Sequence, residues 1–428
     1  MSATGGERSG VFRVPGFASY WSAYTVSAFG SYVTSLALQV LVVALDGSAT
    51  DVGLVSAARW APYLVLGLVV GALVDRRRRR PIVVGSDLGR FLLLAAIAVL
   101  GWIGWLGIPL LLVLVALVGL LSLTGDAASQ ALLPRIVPRT ALLPAHARTD
   151  QSDAVAQTTG PLVAGALVSL LGAATAVVVD ALSYLFSAVA IARIRLDEPP
   201  SRPLAGARLG HEIAEGLRWV YRHRTLGPMA VGTHLWFLFN AVFGTAFVSF
   251  ALIELGLDAF QLGVALAGAG VAGLIGSSVA PRIGRRWGAG RAVIASNLVM
   301  GLGWAVVAAV PSGVSGWLAA GLLCCGQLLY GLGLGLSNSN EMAYRQALTP
   351  DELQARTNTT IRSVNRAMIV VGAPLGGVLA TALGYQAAVW IAVAGLVVAT
   401  AILALSPFRY ARHAASDTAA SDSPASRP

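Results

Sequence analysis

The chain contains no lysine, so all 30 of its basic residues are arginine. A phosphate-binding loop of the G-x-x-x-x-G-K-[ST] type is therefore excluded, and with it ATP drive within this chain. Charge of either sign is scarce: 12% of the 428 residues are charged, while 56% are hydrophobic. A soluble domain cannot place that much apolar surface in one core, so lipid must solvate much of it. Two cysteines are present, Cys324 and Cys325, adjacent inside an apolar stretch. A bond between neighbours would be strained, so they read as small membrane-buried residues. No cleavable leader is expected, because the first apolar stretch is too long and too polar at its start. A His/Asp metal cluster, a G-x-S-x-G elbow and paired carboxylates in a polar loop are also missing, which speaks against an enzyme, a metal or a bound cofactor. The net charge of +10 does not point to nucleic acid. The arginines are spread as loop anchors rather than as a stripe interleaved with aromatics.

What is there is a weave. Arginines crowd every second gap between apolar stretches: Arg76 to Arg80, then Arg135, Arg139 and Arg148, then Arg282, Arg285, Arg286 and Arg291. The intervening gaps, such as Asp46 to Asp51 and Pro311 to Gly316, hold none. The positive-inside rule produces this alternation in a multi-pass protein of the bacterial inner membrane, with the arginine-bearing loops in the cytoplasm. A bilayer core of roughly 30 Å needs about 20 helical residues. That ruler gives twelve spans: Phe17–Leu45, Asp51–Val74, Ile82–Trp105, Ile108–Leu132, Arg148–Leu171, Thr175–Arg193, Leu226–Leu255, Ala259–Pro281, Arg291–Val310, Gly316–Asn338, Arg356–Leu383 and Ala387–Leu405. An even number of crossings returns both termini to the cytoplasm. The expected organisation is a cytoplasmic N-terminus (1–16), a six-helix bundle (17–194), a cytoplasmic linker (195–225), a second six-helix bundle (226–406) and a disordered tail (407–428). Within the linker, Leu209, Ile213, Leu217 and Val220 stand at helical spacing with charges opposite, an amphipathic helix for the membrane surface.

The halves repeat. Ala147-Arg148-Thr149 leads into a span carrying Gly160-Pro161 and Gly165, and Ala355-Arg356-Thr357 leads into one carrying Gly372-Ala373-Pro374 and Gly376-Gly377. Pro161 and Pro374 each lie about ten residues before a loop glycine, Gly172 or Gly384, so spans five and eleven look like parallel copies of one packing or hinge unit. The segment from Leu45 to Pro81, with Gly71, Asp75, Arg76, Arg79 and Arg80, resembles the loop signature G-x-x-x-D-R-x-G-R-R of the major facilitator superfamily. Arg78 stands where glycine is usual. The strings at Ser86 (SDLGR), Ala131 (ALLPRIVP), Thr158 (TTGPLVAG) and Asp180 (DALSYLFS) resemble its bacterial enterobactin-exporter and macrolide-efflux type. The second-half loop keeps Gly284, Arg285 and Arg286 but lacks the aspartate, and Gly30-Ser31 stands mid-span where some relatives have an acid.

The resemblance implies twelve transmembrane helices in two pseudo-repeats around a central cavity, and a carrier that usually works as a monomer. It implies that Asp75 and its arginines form a switch at the cytoplasmic mouth, with Asp126 as partner. Anchoring of topology and lipid headgroups is the alternative role for those arginines. It also implies that spans one, four, seven and ten line the cavity. Span seven carries Trp236, Asn240, Phe243, Phe247 and Phe250 as one stripe, suited either to an apolar ligand or to lipid. Tyr24, Gln39, Gln130, Gln327 and Asn340 would add sparse polar contacts. Ionisable groups within the spans are costly and functional by default. Arg59 and Asp180 lie at similar depth and would pair, and Asp87 and Arg90 share a face at i,i+3. Arg362 and Arg366 either attract an anionic substrate group or pair with Glu341. Asp126, Asp150, Asp153, Asp180 and Glu341 are the candidate proton carriers, with His234 as a further one. The function expected is secondary transport: a proton-driven exporter of a hydrophobic small molecule such as an antibiotic, drug or siderophore. Uptake of a nutrient or siderophore, and a non-transporting sensor, are the alternatives.

Overall fold

The computed structural model describes residues 11–75, 77–196 and 209–412, with the side chains at 68, 71, 72, 75, 209–213, 351, 352 and 355 set aside. Every regular element among them is helical. The first half comprises α1 (Phe17–Ala44), α2 (Ala49–Asp75), α3 (Arg79–Trp102), α4 (Ile108–Ile136), α5 (Leu142–Leu171) and α6 (Ala173–Ala192). After the short α7 (Leu209–Arg222) come α8 (Leu226–Ser249), α9 (Ala259–Trp287), α10 (Ala289–Ala308), α11 (Gly316–Leu348), α12 (Asp351–Leu383) and α13 (Tyr385–Leu405). Eleven of these are long and apolar enough to cross a membrane. The 27-residue α2 extends about 40 Å at 1.5 Å per residue, enough to make the twelfth crossing.

The connections are tight where the backbone permits. Gly172, Gly288 and Gly384 each join two helices alone, with φ of 82°, 82° and 92°, a region open to glycine and closed to most side chains. Asp258 and Gln261 cap the start of α9 reciprocally. His223 Nδ1 accepts from the backbone N–H groups of Thr225 and Leu226, each at 3.3 Å, at the entry to α8. Burial lowers the pKa of this imidazole.

The hydropathy ruler placed several boundaries too far inside. α5 begins at Leu142 rather than Arg148, α9 runs past Pro281 to Trp287, α11 runs past Asn338 to Leu348, and α12 starts at Asp351 rather than Arg356. A helix satisfies its own backbone and need not stop where hydrocarbon stops, so polar turns extend into water unseen by a count of apolar residues. Span seven deviates differently: α8 ends at Ser249 and closes in a π turn, Phe250–Glu254.

α7 is bound to the second half. Arg356 of α12 pairs with Glu215, a side chain on Gly216 would stand 3.2 Å from the Arg356 carbonyl oxygen, and Val220 is fully buried. Tyr221 Oη meets His234 Nε2 of α8 at 2.8 Å, and His234 Nδ1 lies 2.7 Å from Asn365 Oδ1 of α12. His234 is thus a structural bridge between three helices.

The two halves clasp at the end of the bundle far from the termini. There α2 meets α12, and α5 meets α9. A Cβ on Gly53 would overlap the Ala373 carbonyl, and one on Gly377 the Ala49 carbonyl. One on Gly165 would lie 2.5 Å from the Ala259 oxygen, and one on Gly263 2.6 Å from the Pro161 oxygen. Bare glycines let these backbones touch, as small residues do at membrane helix interfaces. The repeated motifs divide the same labour. Gly160 packs on Tyr32 of α1 and Gly372 on Leu238 of α8, the first helix of each half, whereas Gly165 and Gly377 reach the second helix of the opposite half. Gly376 adds a contact to Val242 of α8, and Pro161 and Pro374 sit within their helices beside these contacts.

Candidate functional site

Two neighbouring cavities lie within the clasp and toward the end that carries the termini. The first, of about 510 Å³, is lined only by helices of the first half. Serines from α1 and α4 and five tyrosines face it, together with Arg59, Asp87, Arg90, Asp126 and Asp153. The second, of about 430 Å³, lies between the halves and is lined by α1, α2, α5, α8, α9, α11 and α12. Tyr32, Ser35 and Trp60 belong to both walls.

In the first cavity most charges are matched. Asp87, 1% exposed, pairs with Arg90 one turn away on α3 and accepts from Ser187 Oγ at 2.6 Å. The Arg90 guanidinium lies 4.1 Å from the centre of the Tyr184 ring and 3.8 Å from Asp126 Oδ1. Asp126 also accepts from Tyr63 Oη at 2.7 Å. Across the divide, Arg366 of α12 stacks 4.5 Å from the centre of the Tyr63 ring. Arg59 donates to Ser35. Asp153 accepts from Tyr24 and, among the described residues, has no ion-pair partner.

The second cavity is aromatic. Phe243 lies parallel to the fully buried Trp304, with ring centres 4.6 Å apart, and near Tyr330 at 6.2 Å. Phe247 stacks on Phe243 at 5.5 Å. Tyr330 Oη donates to Asn240 Oδ1 at 2.9 Å. Gln327, 3% exposed, has a buried amide oxygen with no hydrogen-bond partner among the described residues.

Several expected residues meet here and others do not. Gln39, Asn240, Phe243, Phe247 and Gln327 line the aromatic cavity, whereas Tyr24 and Gln130 line the polar one. Trp236 lines neither: it packs edge-on against Phe237, with ring centres 4.8 Å apart, and Phe237 takes the lining position. Phe250 is fully buried at the π turn, where the stripe loses its register. Asn340 is turned to backbone, donating to the carbonyls of Leu336 at 2.9 Å and Ala280 at 3.3 Å.

The expected Arg59–Asp180 pair does not form. Asp180 accepts from Ser183 Oγ at 2.9 Å and presses against Gly30, where a Cβ would overlap its carboxylate. An acid from α6 therefore fills the space beside the glycine in α1. Arg362 is exposed and Arg366 is stacked on Tyr63, so neither pairs with Glu341, which accepts from Thr233 Oγ1 at 3.0 Å. Asp150 is exposed at the edge of α5. Of the switch residues, Arg76 and the side chains of Gly71 and Asp75 lie outside the described residues. Arg80 reaches the last carbonyls of α6, at Ile191 and Ala192, within its own half. Asp126, the expected counterpart of this loop, is engaged by Tyr63 and Arg90, and any contact with Arg76 or the Asp75 side chain lies outside the described residues. Tyr63, Tyr184, Phe237, Trp304 and Tyr330 were missed, because an aromatic amid apolar residues carries no sign of which face it occupies. Tyr330, in span ten, had the signal of belonging to a cavity-lining helix.

Known proteins place this geometry. The family model described as transmembrane secretion effector, of the major facilitator superfamily, matches residues 9–426. An uncharacterized MFS-type transporter of Sinorhizobium fredii is 26% identical over 86% of this chain and 89% of its own. The multidrug efflux pump Tap of Mycobacterium tuberculosis is 27% identical over 68% of this chain and 70% of its own. Macrolide efflux protein A of Streptococcus pyogenes is 25% identical over 53% of this chain and 57% of its own, so this chain spans little more than half of that relative. Among solved structures, the nucleoside transporter NupG superposes with a TM-score of 0.71 at 11% identity, covering 91% of this chain and 98% of its own. A bacterial homologue of the iron transporter ferroportin, in its inward-facing state, gives 0.70 at 16% identity, covering 92% and 98%. The two six-helix halves, the cavity between them and the match along nearly the whole chain make this a multi-pass membrane transporter, not an enzyme, and a member of the transmembrane secretion effector family of the major facilitator superfamily.

Proposed function

We propose that the protein is a proton-coupled exporter of hydrophobic small molecules in the bacterial inner membrane, working as a monomer by alternating access with both termini in the cytoplasm. The observation that carries this reading is the aromatic cavity between halves whose close glycine contacts, at Gly53, Gly377, Gly165 and Gly263, lie at the end away from the termini. With the arginine-rich loops inside, that cavity is reached from the cytoplasm, where an exporter loads. Efflux by the relatives that match, a macrolide exporter and a multidrug pump by name, supports the direction.

Coupling needs a carboxylate that gives and takes a proton inside the membrane. Asp180 and Glu341 bond to hydroxyls, Ser183 and Thr233, and a hydroxyl serves either protonation state because it both donates and accepts. No cofactor is required; the proton gradient supplies the work. The test is dye movement in everted vesicles carrying the protein. Acid inside the vesicle should drive ethidium inward, a protonophore should abolish the effect, and Asp180→Asn should reduce it about tenfold or more. Gradient-driven uptake in right-side-out vesicles, with none in everted ones, would refute export.

A further inference from the structure

The two cavities pose a chemical question that the general reading of an apolar cargo leaves open. Five charged side chains line the polar cavity, three acidic and two basic. Both arginines are committed, Arg90 to Asp87 and Asp126, and Arg59 to Ser35. Among the described residues Asp153 has one hydrogen-bond partner, the neutral Tyr24. Asp153 is exposed to this cavity, and a carboxylate without an ion-pair partner on a membrane-spanning helix offers a site for a counter-charge. Tyr20 and Tyr24, stacked with ring centres 6.4 Å apart, line the same cavity with Tyr32 and Trp60. Aromatic faces hold organic cations by their negative quadrupole.

The aromatic cavity has its own unmatched group. Gln327 presents a buried amide oxygen with no donor among the described residues, in a mainly aromatic and aliphatic wall that also holds Ser35, Gln39, Ser56, Asn240 and Thr245. A buried acceptor left unpaired costs free energy that a ligand N–H or O–H would recover. Tyr32, Ser35 and Trp60 join the two compartments, and each has the volume of a drug-sized site.

We propose that the cavities form one bipartite site for an amphipathic organic cation, its positive charge held toward Asp153 among the tyrosines and its aromatic body reaching Phe243 and Phe247 with a donor to Gln327. This rests on the transport reading for its purpose, but binding can be measured without a gradient.

The test uses purified full-length protein in detergent and three probes. Ethidium is an aromatic cation with amine donors, tetraphenylphosphonium is a cation without donors, and N-phenyl-1-naphthylamine is a neutral donor. Asp153→Asn should weaken both cations roughly tenfold, a change of about 1.4 kcal/mol, and leave the neutral probe within about twofold. Gln327→Met should weaken ethidium and the neutral probe and spare tetraphenylphosphonium. The spared probe in each case shows that the variant is folded. Equal losses for all probes, no loss for any, or a wild type that binds no cation would overturn the proposal. Protein that binds in this pattern yet moves no ethidium across vesicles would keep the site and refute the transport reading.

Discussion

Asp87 is the most secluded charge in the polar cavity, and its environment decides what its partner is worth. It is 1% exposed and held by Arg90 and Ser187. Removing one member of a buried pair leaves an uncompensated ion, which costs roughly 3–5 kcal/mol, whereas replacing both by apolar groups of similar volume is close to neutral. Arg90→Met should therefore lower the thermal unfolding midpoint sharply, and Asp87→Leu combined with Arg90→Met should restore most of it. Scanning calorimetry in detergent distinguishes these outcomes; a double variant as unstable as the single would show that Arg90 acts through Tyr184 and Asp126 instead. This pair was legible in the sequence because i,i+3 spacing on one helix is a local rule. The failure of Arg59 and Asp180 to pair was not legible, because depth along two different helices fixes height and leaves rotation open. Those two face different neighbours, Ser35 and Ser183.

At the scale of helices, the sequence revealed which elements repeat, and the structure adds what the repeat is for. The glycines of α5 and α12 looked like hinge or packing motifs, and each set brings one backbone onto the first helix of its own half and another onto the second helix of the other. Gly53, on the partner helix α2, carried no such signal because it belongs to no repeated string. A Cβ there would nonetheless run into the Ala373 carbonyl, while Gly67 on the same helix has nothing within 4 Å. Gly53→Val should hold α2 and α12 apart, and Gly67→Val should not. With Cys324 and Cys325 replaced by serine and a cysteine placed at Ala373, which is 2% exposed beneath Gly53, an impermeant thiol reagent added from the far side should label the Gly53→Val protein several-fold faster. Equal labelling of the two valine variants would show that helix α2 yields without opening the clasp. The aromatic stripe shows the opposite limit of sequence reading. Its first and last members leave the cavity because neighbouring Phe237 takes the wall and a π turn at Phe250–Glu254 resets the register, and neither event has a local sequence cause.

For the molecule as a whole, alternating access requires that the clasp at the far end part while the end carrying the termini closes. Thr50 of α2 and Thr381 of α12 bring hydroxyl oxygens within 3.2 Å across this clasp, close enough for a pair of cysteines to be joined. In a background without Cys324 and Cys325, Thr50→Cys with Thr381→Cys should cross-link under mild oxidant and hold the halves as they stand here. The aromatic cavity lies on the other side of the clasp, so binding of a hydrophobic probe should survive oxidation while vesicle transport stops, and reductant should restore transport. The comparison of binding with transport in the same sample is what gives the experiment its force. A site that faces its entry permanently would bind and show no dependence on the cross-link. A carrier that must rock through the far end cannot turn over while Thr50 and Thr381 are tied, because one covalent bond resists far more than the few kcal/mol that separate two populated conformations.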